Sequence, residues 1–402
     1  KADVLQNIGL AYLKKNEFDL ASEHYKEACV VRRKCLQYAL EQQKIVQVST
    51  GNNLGEAVIG EDNNKLVSIC ELELADSLVS YGLGHEKCKR HQDAAEAYAE
   101  ALKIRRQAIS DPHHPGILII LSFLGNIYAE IGGAGHGKRF YEWSLHYYNE
   151  LLLLRRAKFG EQHIDVADVL NNMGRVNLRE DKPEQSLTVL KEATKIIEAN
   201  DVKGKKTASL LAASILNNLG IAHEKLSHRK EAIHSFLGSL NYKVSVLGED
   251  HPSLANTIHN VANAYSENGQ YDQAMEAYNE SLRRKQSSLG QNHPSVALTL
   301  NNIGAVHLSR GDCNASLKVH LKALKVWKTV FRGKRSHPNL ADTHNSIGMV
   351  LKQQGELEKA MDHFTAALRM YREGGAKADH PGVLSTIRNI ADFEHAQAIG
   401  LS

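Results

Sequence analysis

The 402-residue sequence has no run of about 18 apolar residues, so an ordinary membrane-spanning helix is not expected. It has no surplus of one charge: 49 Lys and Arg stand against 46 Asp and Glu, a formal net charge of +3. That balance argues against nucleic acid as the main partner. Cysteine is sparse and has no CxxC spacing. Cys29, Cys35, Cys70, Cys88 and Cys313 are odd in number, which points to a reducing, intracellular and cytoplasmic setting rather than a disulfide framework. The chain opens KADVLQNIGLAY, already in a helical pattern and without an initiator Met or a signal peptide, as a trimmed chain would. With 7 prolines, 24% charged and 42% hydrophobic residues, the composition is that of a folded soluble protein. A single globular core rarely grows to this length, whereas a stack of units that touch only their neighbours can.

Residues 251–290, HPSLANTIHNVANAYSENGQYDQAMEAYNESLRRKQSSLG, show what such a unit is. Proline after His251 suits the first position of a helix, where its missing N–H is no loss. Apolar or small residues follow at Ile258, Val261, Ala262 and Tyr265, the spacing of one buried helical stripe. Asn268-Gly269 marks a turn, and a second stripe runs through Ala274, Met275, Tyr278, Ser281 and Leu282. His293-Pro294 begins the pattern again 42 residues later, and a fixed period of about 20–50 residues is the mark of stacked repeats.

A small residue in each first helix sets the ruler: Gly9, Gly82, Gly125, Gly174, Gly220, Ala262, Gly304, Gly348 and Ala391. Twelve residues after most of these marks stands another small residue (Ala21, Ala94, Ser186, Ala232, Ala274, Ser316, Ala360). Four further on stands a large one (Tyr25, Tyr98, Leu190, Phe236, Tyr278, His320, Phe364). Helices approach closely only where side chains are small, and a bulky residue one turn on fills the wedge. Small mark, aromatic three later (Tyr12, Tyr128, Tyr265), then small and bulky at these offsets together resemble the tetratricopeptide repeat. LNNMG (170–174), LNNLG (216–220) and LNNIG (300–304), with LGEDHP (247–252) and LGQNHP (289–294), resemble its kinesin-light-chain version.

The resemblance implies an all-α, right-handed superhelical solenoid of antiparallel helix pairs. We read residues 1–402 as one such domain, with repeats at roughly 1–40, 66–110, 115–160, 164–200, 207–248, 252–290, 294–333 and 338–374. A capping helix at 381–400 covers the last apolar face. Insertions are expected at 41–65, as an extended second helix and then a loop before a new first helix near Lys65, and at 131–139. NDVKGKKT (200–207) replaces the LGxxHP junction by a basic loop.

Three patterns invite a chemical reading. Gly132-x4-Gly137-Lys138 nearly spells a phosphate-binding loop, but Arg139 stands where a magnesium-holding Ser or Thr is needed, and a helix precedes it instead of a strand. His85-x2-Cys88-x2-His91 holds zinc-ligand types without a fourth ligand, and His85 fills the repeat's aromatic position. His223, His228 and His234 fall in the stripe or near the turn. Five of the 21 histidines precede a junction proline: His114, His251, His293, His337 and His380. No catalytic, cofactor-binding or metal-binding residue is assigned, and no enzyme activity is expected. Arg32-Arg33, Arg105-Arg106, Arg155-Arg156 and Arg283-Arg284 end second helices, where positive charge complements the helix dipole.

Asparagine, a mediocre helix former, recurs three and two residues before the marks: Asn171-Asn172, Asn217-Asn218, Asn301-Asn302, and Asn345. In tetratricopeptide arrays first helices line the concave face, so these amides offer donors and acceptors to an extended peptide or bridge neighbouring repeats. The expected groove residues are Asn171, Arg175, Asn217, His259, Asn263, Asn301, Asn345 and Arg388, with Arg179 and Lys225 as further positive charges. The function implied is a non-enzymatic scaffold or adaptor that binds peptides or partner proteins, such as a cargo adaptor. The alternative is the sensor solenoid of a larger signalling ATPase or enzyme. No membrane insertion is expected.

Overall fold

The computed structural model describes residues 1–49, 54–133, 137–200, 205–332 and 336–398. These residues form helices and no strands, in two compact units, Lys1–Val202 and Lys203–Ser402. The first unit holds α1 (Ala2–Lys14), α2 (Phe18–Ser49), α3 (Leu54–Lys87), α4 (His91–Ala108), α5 (Pro115–Ile131), α6 (Arg139–Phe159), α7 (Ile164–Arg179) and α8 (Pro183–Ala199). The second holds α9 (Lys206–Lys225), α10 (Arg229–Leu247), α11 (Leu254–Glu267), α12 (Tyr271–Leu289), α13 (Pro294–Ser309), α14 (Cys313–Val330), α15 (Pro338–Gln353), α16 (Leu357–Glu373) and α17 (Pro381–Ala398). Within each unit every helix packs on the next, and alternate helices also meet where both are first helices, as in α1–α3, α11–α13, α13–α15 and α15–α17.

The wedge holds each pair together. A methyl group added at Gly82, Gly220 or Gly348 would stand 2.5–2.6 Å from the ring of Tyr98, Phe236 or Phe364, so these backbones touch the aromatic rings directly. Where the second small residue is serine, its hydroxyl donates to the mark's carbonyl, as in Ser186 to Gly174 (2.9 Å) and Ser316 to Gly304 (2.8 Å). The third pair follows the same rule with an offset. Ser144 donates to Gly125, and Tyr148 lies against Gly125, seven residues later than the ruler places them. The turn carrying IGGAGHGKR absorbs that difference, and residues 134–136 of it lie outside the described ones.

Seven residues after the mark, the turn takes a left-handed residue: Asn16, Lys89, Asp181, Ser227, Gly269, Gly311 and Gly355, with φ between 59° and 81°. Only glycine reaches that region without a Cβ penalty, roughly 1–2 kcal/mol for other residues, partly offset by glycine's own entropy cost. Ser227→Gly is therefore expected to stabilise the chain by up to about 1 kcal/mol, read as a rise in the urea midpoint. A lowered midpoint would contradict the strain argument. At the repeat junctions Gly160, Gly248 and Gly290 have φ of 82–88° and ψ of 160–164°, a backbone region that is essentially glycine's alone.

The junction histidines have a specific role. The ring Nδ1 of His114, His163, His293, His337 and His380 accepts the backbone N–H two residues on, at 3.1–3.2 Å, and so caps the next helix. Proline opens α5, α13, α15 and α17 as expected, but α11 begins at Leu254, so Pro252 lies in the preceding turn.

Two expectations are corrected. The first helix of the second pair begins at Leu54 rather than near Lys65, after the extended second helix α2, which runs to Ser49. The surplus sequence of the 41–65 stretch is thus largely helical, and only residues 50–53 lie outside the described ones. The arginine pairs, in turn, serve mainly as struts. Arg32 pairs with Asp3 (2.5 Å) and with Glu73, Arg33 with Glu100 (2.6 Å), Arg105 with Asp76, and Arg155 with Asp168 (3.1 Å). Arg32 and Arg33 sit far from the end of α2, so the helix-dipole account fails there.

Candidate peptide-binding face

Seven residues after the wedge, the struts of the first unit give way in the second to lysines without a carboxylate. Lys243 donates to Thr257 at 2.7 Å, and buried Lys285 donates to Thr299 at 3.0 Å. Burial lowers both amines, that of Lys285 to about 8. The threonines belong to a series five residues before the mark, Thr257, Thr299, Thr343 and Thr386, all fully buried. The last three also donate to the carbonyl four residues back. The sequence carries this signal as threonines at intervals of 42, 44 and 43 residues.

These threonines anchor the asparagines. Asn301 donates to Thr343 of the next repeat at 2.7 Å, and its carbonyl oxygen faces His320 Nδ1 at 3.1 Å. Asn345 accepts from Thr386 at 3.1 Å and from Asn389 at 3.4 Å. Asn260 donates to Asn217 at 2.9 Å. Asn302 donates to Asn263 at 3.0 Å and lies 3.3 Å from Nε2 of His259. In the second unit the residues three and two before the marks, with Asn263 and the threonines, therefore form a ladder that joins consecutive first helices. His259 sits mid-ladder, edge-on to Tyr278 and in reach of Thr299, and burial, then Lys285, lowers its pKa to about 4.

In the first unit Asn171 is buried in α7, while Arg175 donates to Asn126 at 2.7 Å, the atom that also accepts from Tyr148. Arg179 pairs with Glu130 at 2.8 Å. In the second unit Asn345 is buried, Asn217, His259, Asn263 and Asn301 are half-buried, and Arg388 is exposed. The geometry brings Asn217, His259, Asn263, Asn301, Asn345 and Arg388 onto successive first helices. Asn171 and Arg175 belong to the other unit. Around the ladder the first helices of the second unit expose Asn256, Leu298, Ala305 and Met349. Its acidic edge is Glu224, raised to about 7 by burial and then by Glu267, which is itself raised by burial. The face is thus amide-rich and apolar, with little positive charge beyond Arg388.

The other chemical patterns find structural places. His85 is buried, edge-on to Tyr81 at 4.3 Å, and the Cys88 thiol lies 3.5 Å from Asp19. His223 and His228 meet through their Nδ1 atoms at 3.3 Å. Arg139 lies over the Trp143 ring at 4.9 Å. Among the described residues no group of three His, Cys, Asp or Glu stands where it could hold a metal ion. No helix among them is long and apolar enough to cross a membrane.

One family model described as tetratricopeptide repeat matches residues 211–287 and 295–373, and a second with the same description matches 2–35. The chain carries tetratricopeptide repeats over these residues. Among solved structures, the apo form of RapI matches with a TM-score of 0.56 at 13% identity, over 74% of this chain and 98% of that one. BtubC (BKLC) from P. vanneervenii matches with a TM-score of 0.46 at 16% identity, over 66% and 93%. A Podosopora anserina structure described as kinesin light chain with nearly identical TPR-like repeats matches with a TM-score of 0.45 at 14% identity, over 54% and 99%. No curated protein matches. The tetratricopeptide fold is generally that of a non-catalytic protein-interaction scaffold, and this chain has that fold.

Proposed function

We propose that this tetratricopeptide-repeat chain is a non-enzymatic scaffold or adaptor that binds extended peptide segments or partner proteins along its first helices. The observation that carries this reading is the amide ladder of the second unit. Its hydrogen bonds hold the side chains in fixed places, and the Asn217 amino group and the Asn260 carbonyl keep bonding capacity for a peptide backbone. Exposed Leu298 and Met349 beside it offer apolar contact for alternate peptide side chains. Because the ladder is uncharged and its edge carries Glu224 and Glu267, a neutral or mildly basic peptide suits it better than a strongly acidic one. An affinity near micromolar, about −8 kcal/mol, is the scale for one short segment. A cargo-adaptor role like that of kinesin light chain is supported by the LNNxG and LGxxHP resemblance.

Two leucines of equal exposure make the test. Leu298 on first helix α13 is 46% exposed and Leu321 on second helix α14 is 48% exposed. In cross-linked pull-downs read by mass spectrometry, Leu298→Glu is expected to lose partners by about tenfold or more while Leu321→Glu retains them. If Leu321→Glu loses the partners and Leu298→Glu keeps them, the working surface is the second-helix side and this reading fails.

A further inference from the structure

Two of the five cysteines face each other across the longest helix pair, α2 and α3. These helices run antiparallel, and contacts along their length fix the register. The Cys88 thiol lies 3.5 Å from Asp19, Arg32 pairs with Glu73, Ala39 clusters with Val67, and Gln43 donates to Asn64 at 2.6 Å. From Asp19 to Gln43 is 24 residues forward and from Cys88 to Asn64 is 24 back, so the pairing has no net slip. Three residues on from Arg32 stands Cys35, and three back from Glu73 stands Cys70. The register therefore sets the two cysteines side by side, between the ion pair and the Ala39–Val67 contact.

Their surroundings differ in a useful way. Cys70 is 8% exposed, in a cluster with Ala39 and Val67 against which Leu36 packs. Cys35 is open to solvent. The thiols are close enough to interact: burial first, then Cys35, raises the Cys70 thiol above its ordinary pKa. Helix axes about 8–10 Å apart, with Cα atoms about 2.3 Å from each axis, leave about 3.4–5.4 Å between Cα atoms that face directly. Offset pairs lie somewhat farther apart, and a cystine spans about 4.4–6.8 Å between Cα atoms. The other cysteines lie elsewhere. Cys29 is buried beside Arg33 and Glu100, Cys88 stands at Asp19, and Cys313 belongs to the second unit.

We propose that Cys35 and Cys70 form a reversible disulfide, a clasp between α2 and α3 that a hydroperoxide closes and a thiol reductant opens. The Cys35 thiolate attacks the peroxide O–O bond, so that an S–O bond forms, hydroxide leaves and Cys35 becomes a sulfenic acid. The Cys70 thiolate then attacks that sulfur. The S–S bond forms, the S–O bond breaks, and a second hydroxide leaves. The two thiol protons turn both hydroxides into water, so two thiols lose two electrons and one peroxide becomes two waters. Exposure sets the order: Cys35 meets the oxidant, and the shielded Cys70 resolves it. The closed clasp ties the outer turns of both helices, residues 36–49 and 54–69, to the stacked pair. Those turns carry the exposed Tyr38, Ile45, Leu66 and Ile69, and the clasp fixes the spacing of these apolar side chains.

The full chain, treated with hydrogen peroxide and then alkylated, is mapped by mass spectrometry without reductant. One intramolecular link between the Cys35 and Cys70 peptides is expected, and dithiothreitol reverses it. In Cys70→Ala, Cys35 is expected to persist as a sulfenic acid that dimedone traps. Backbone hydrogen exchange in residues 36–49 and 54–69 is expected to slow by about tenfold or more in the oxidised parent, but not in peroxide-treated Cys35→Ser. The proposal is overturned if Cys70 is alkylated as fully after peroxide as before it. It is also overturned if Cys35 links two copies or joins a different cysteine instead, or if the link forms without slowing exchange.

Discussion

Exchanging Phe236 for alanine is expected to cost about 3–5 kcal/mol, the scale for emptying a fully buried aromatic site. The ring is completely enclosed and its edge rests on the Gly220 backbone, with Ala232, Val261 and Ala264 around it. The surroundings relax only partly around such a deletion, so a cavity should remain. The converse change, Gly220→Leu, is expected to be comparably severe, because even one methyl group there would stand 2.6 Å from the ring. Helices α9 and α10 must then separate. Ala262 marks the tolerable limit: in α11 an alanine occupies the mark, with Tyr278 as its wedge.

The two changes should compensate. In the double variant the introduced leucine side chain would occupy the space that the ring leaves, so its cost should fall below the sum of the singles by about 0.5–3 kcal/mol. Urea unfolding of the four proteins measures this coupling, and strict additivity would mean that mark and wedge are not one packing unit. Since each repeat is stabilised mainly by its neighbours, hydrogen exchange should also show the loss concentrated in α9 to α12.

The wedge was legible in the sequence because two backbones at contact distance tolerate so few residue types. Gly, Ala or Ser at fixed offsets leaves a trace that survives single exceptions. It failed at the third pair only because seven extra residues in the turn moved Ser144 and Tyr148 out of register. The 49-residue spacing from Gly125 to Gly174, seven above the 42-residue period, already held that information. The left-handed turn was harder to see. Asn16, Lys89, Asp181 and Ser227 adopt the conformation that Gly269, Gly311 and Gly355 adopt, and residue type alone does not reveal it.

The amides of the candidate face were legible as a series but not in their bonding. A sequence shows that Asn301 and Asn345 recur; it does not show that the first reaches forward to Thr343 and the second accepts from Thr386. Which way an amide turns depends on the neighbouring repeat, a contact some 42 residues away along the chain. The same is true of Lys285. From sequence it is one more surface lysine, yet the structure buries it against Thr299, without a carboxylate.

Acid is expected to weaken the second unit through a wedge made of histidine. His320 fills against Gly304 the place that Phe236 fills against Gly220, and it is fully buried. Asn301 spends its amino group on Thr343, so its carbonyl oxygen faces the ring and His320 Nδ1 must donate to it. Nε2 is then the unprotonated nitrogen, buried over the Gly304 backbone without a partner. Protonation would place a second N–H where nothing accepts it, and burial accordingly holds the folded pKa at about 4, below the ordinary 6.5. With the folded value the lower one, the stabilisation is complete above pH 6.5 and is lost as pH falls from there toward 4. At pH 5 the loss from this one ring is about 2 kcal/mol. His320→Phe removes the titration and keeps the wedge, at a cost of about 1 kcal/mol for the lost bond to Asn301. Near pH 7.5 the variant should therefore match the parent within about 1 kcal/mol, and by pH 5 it should have gained about 2 kcal/mol relative to it. His259 and His344, also lowered to about 4, are common to both proteins and cancel in the comparison. Urea midpoints at the two pH values decide the matter: an identical pH dependence in parent and variant would mean that the buried ring does not limit acid stability.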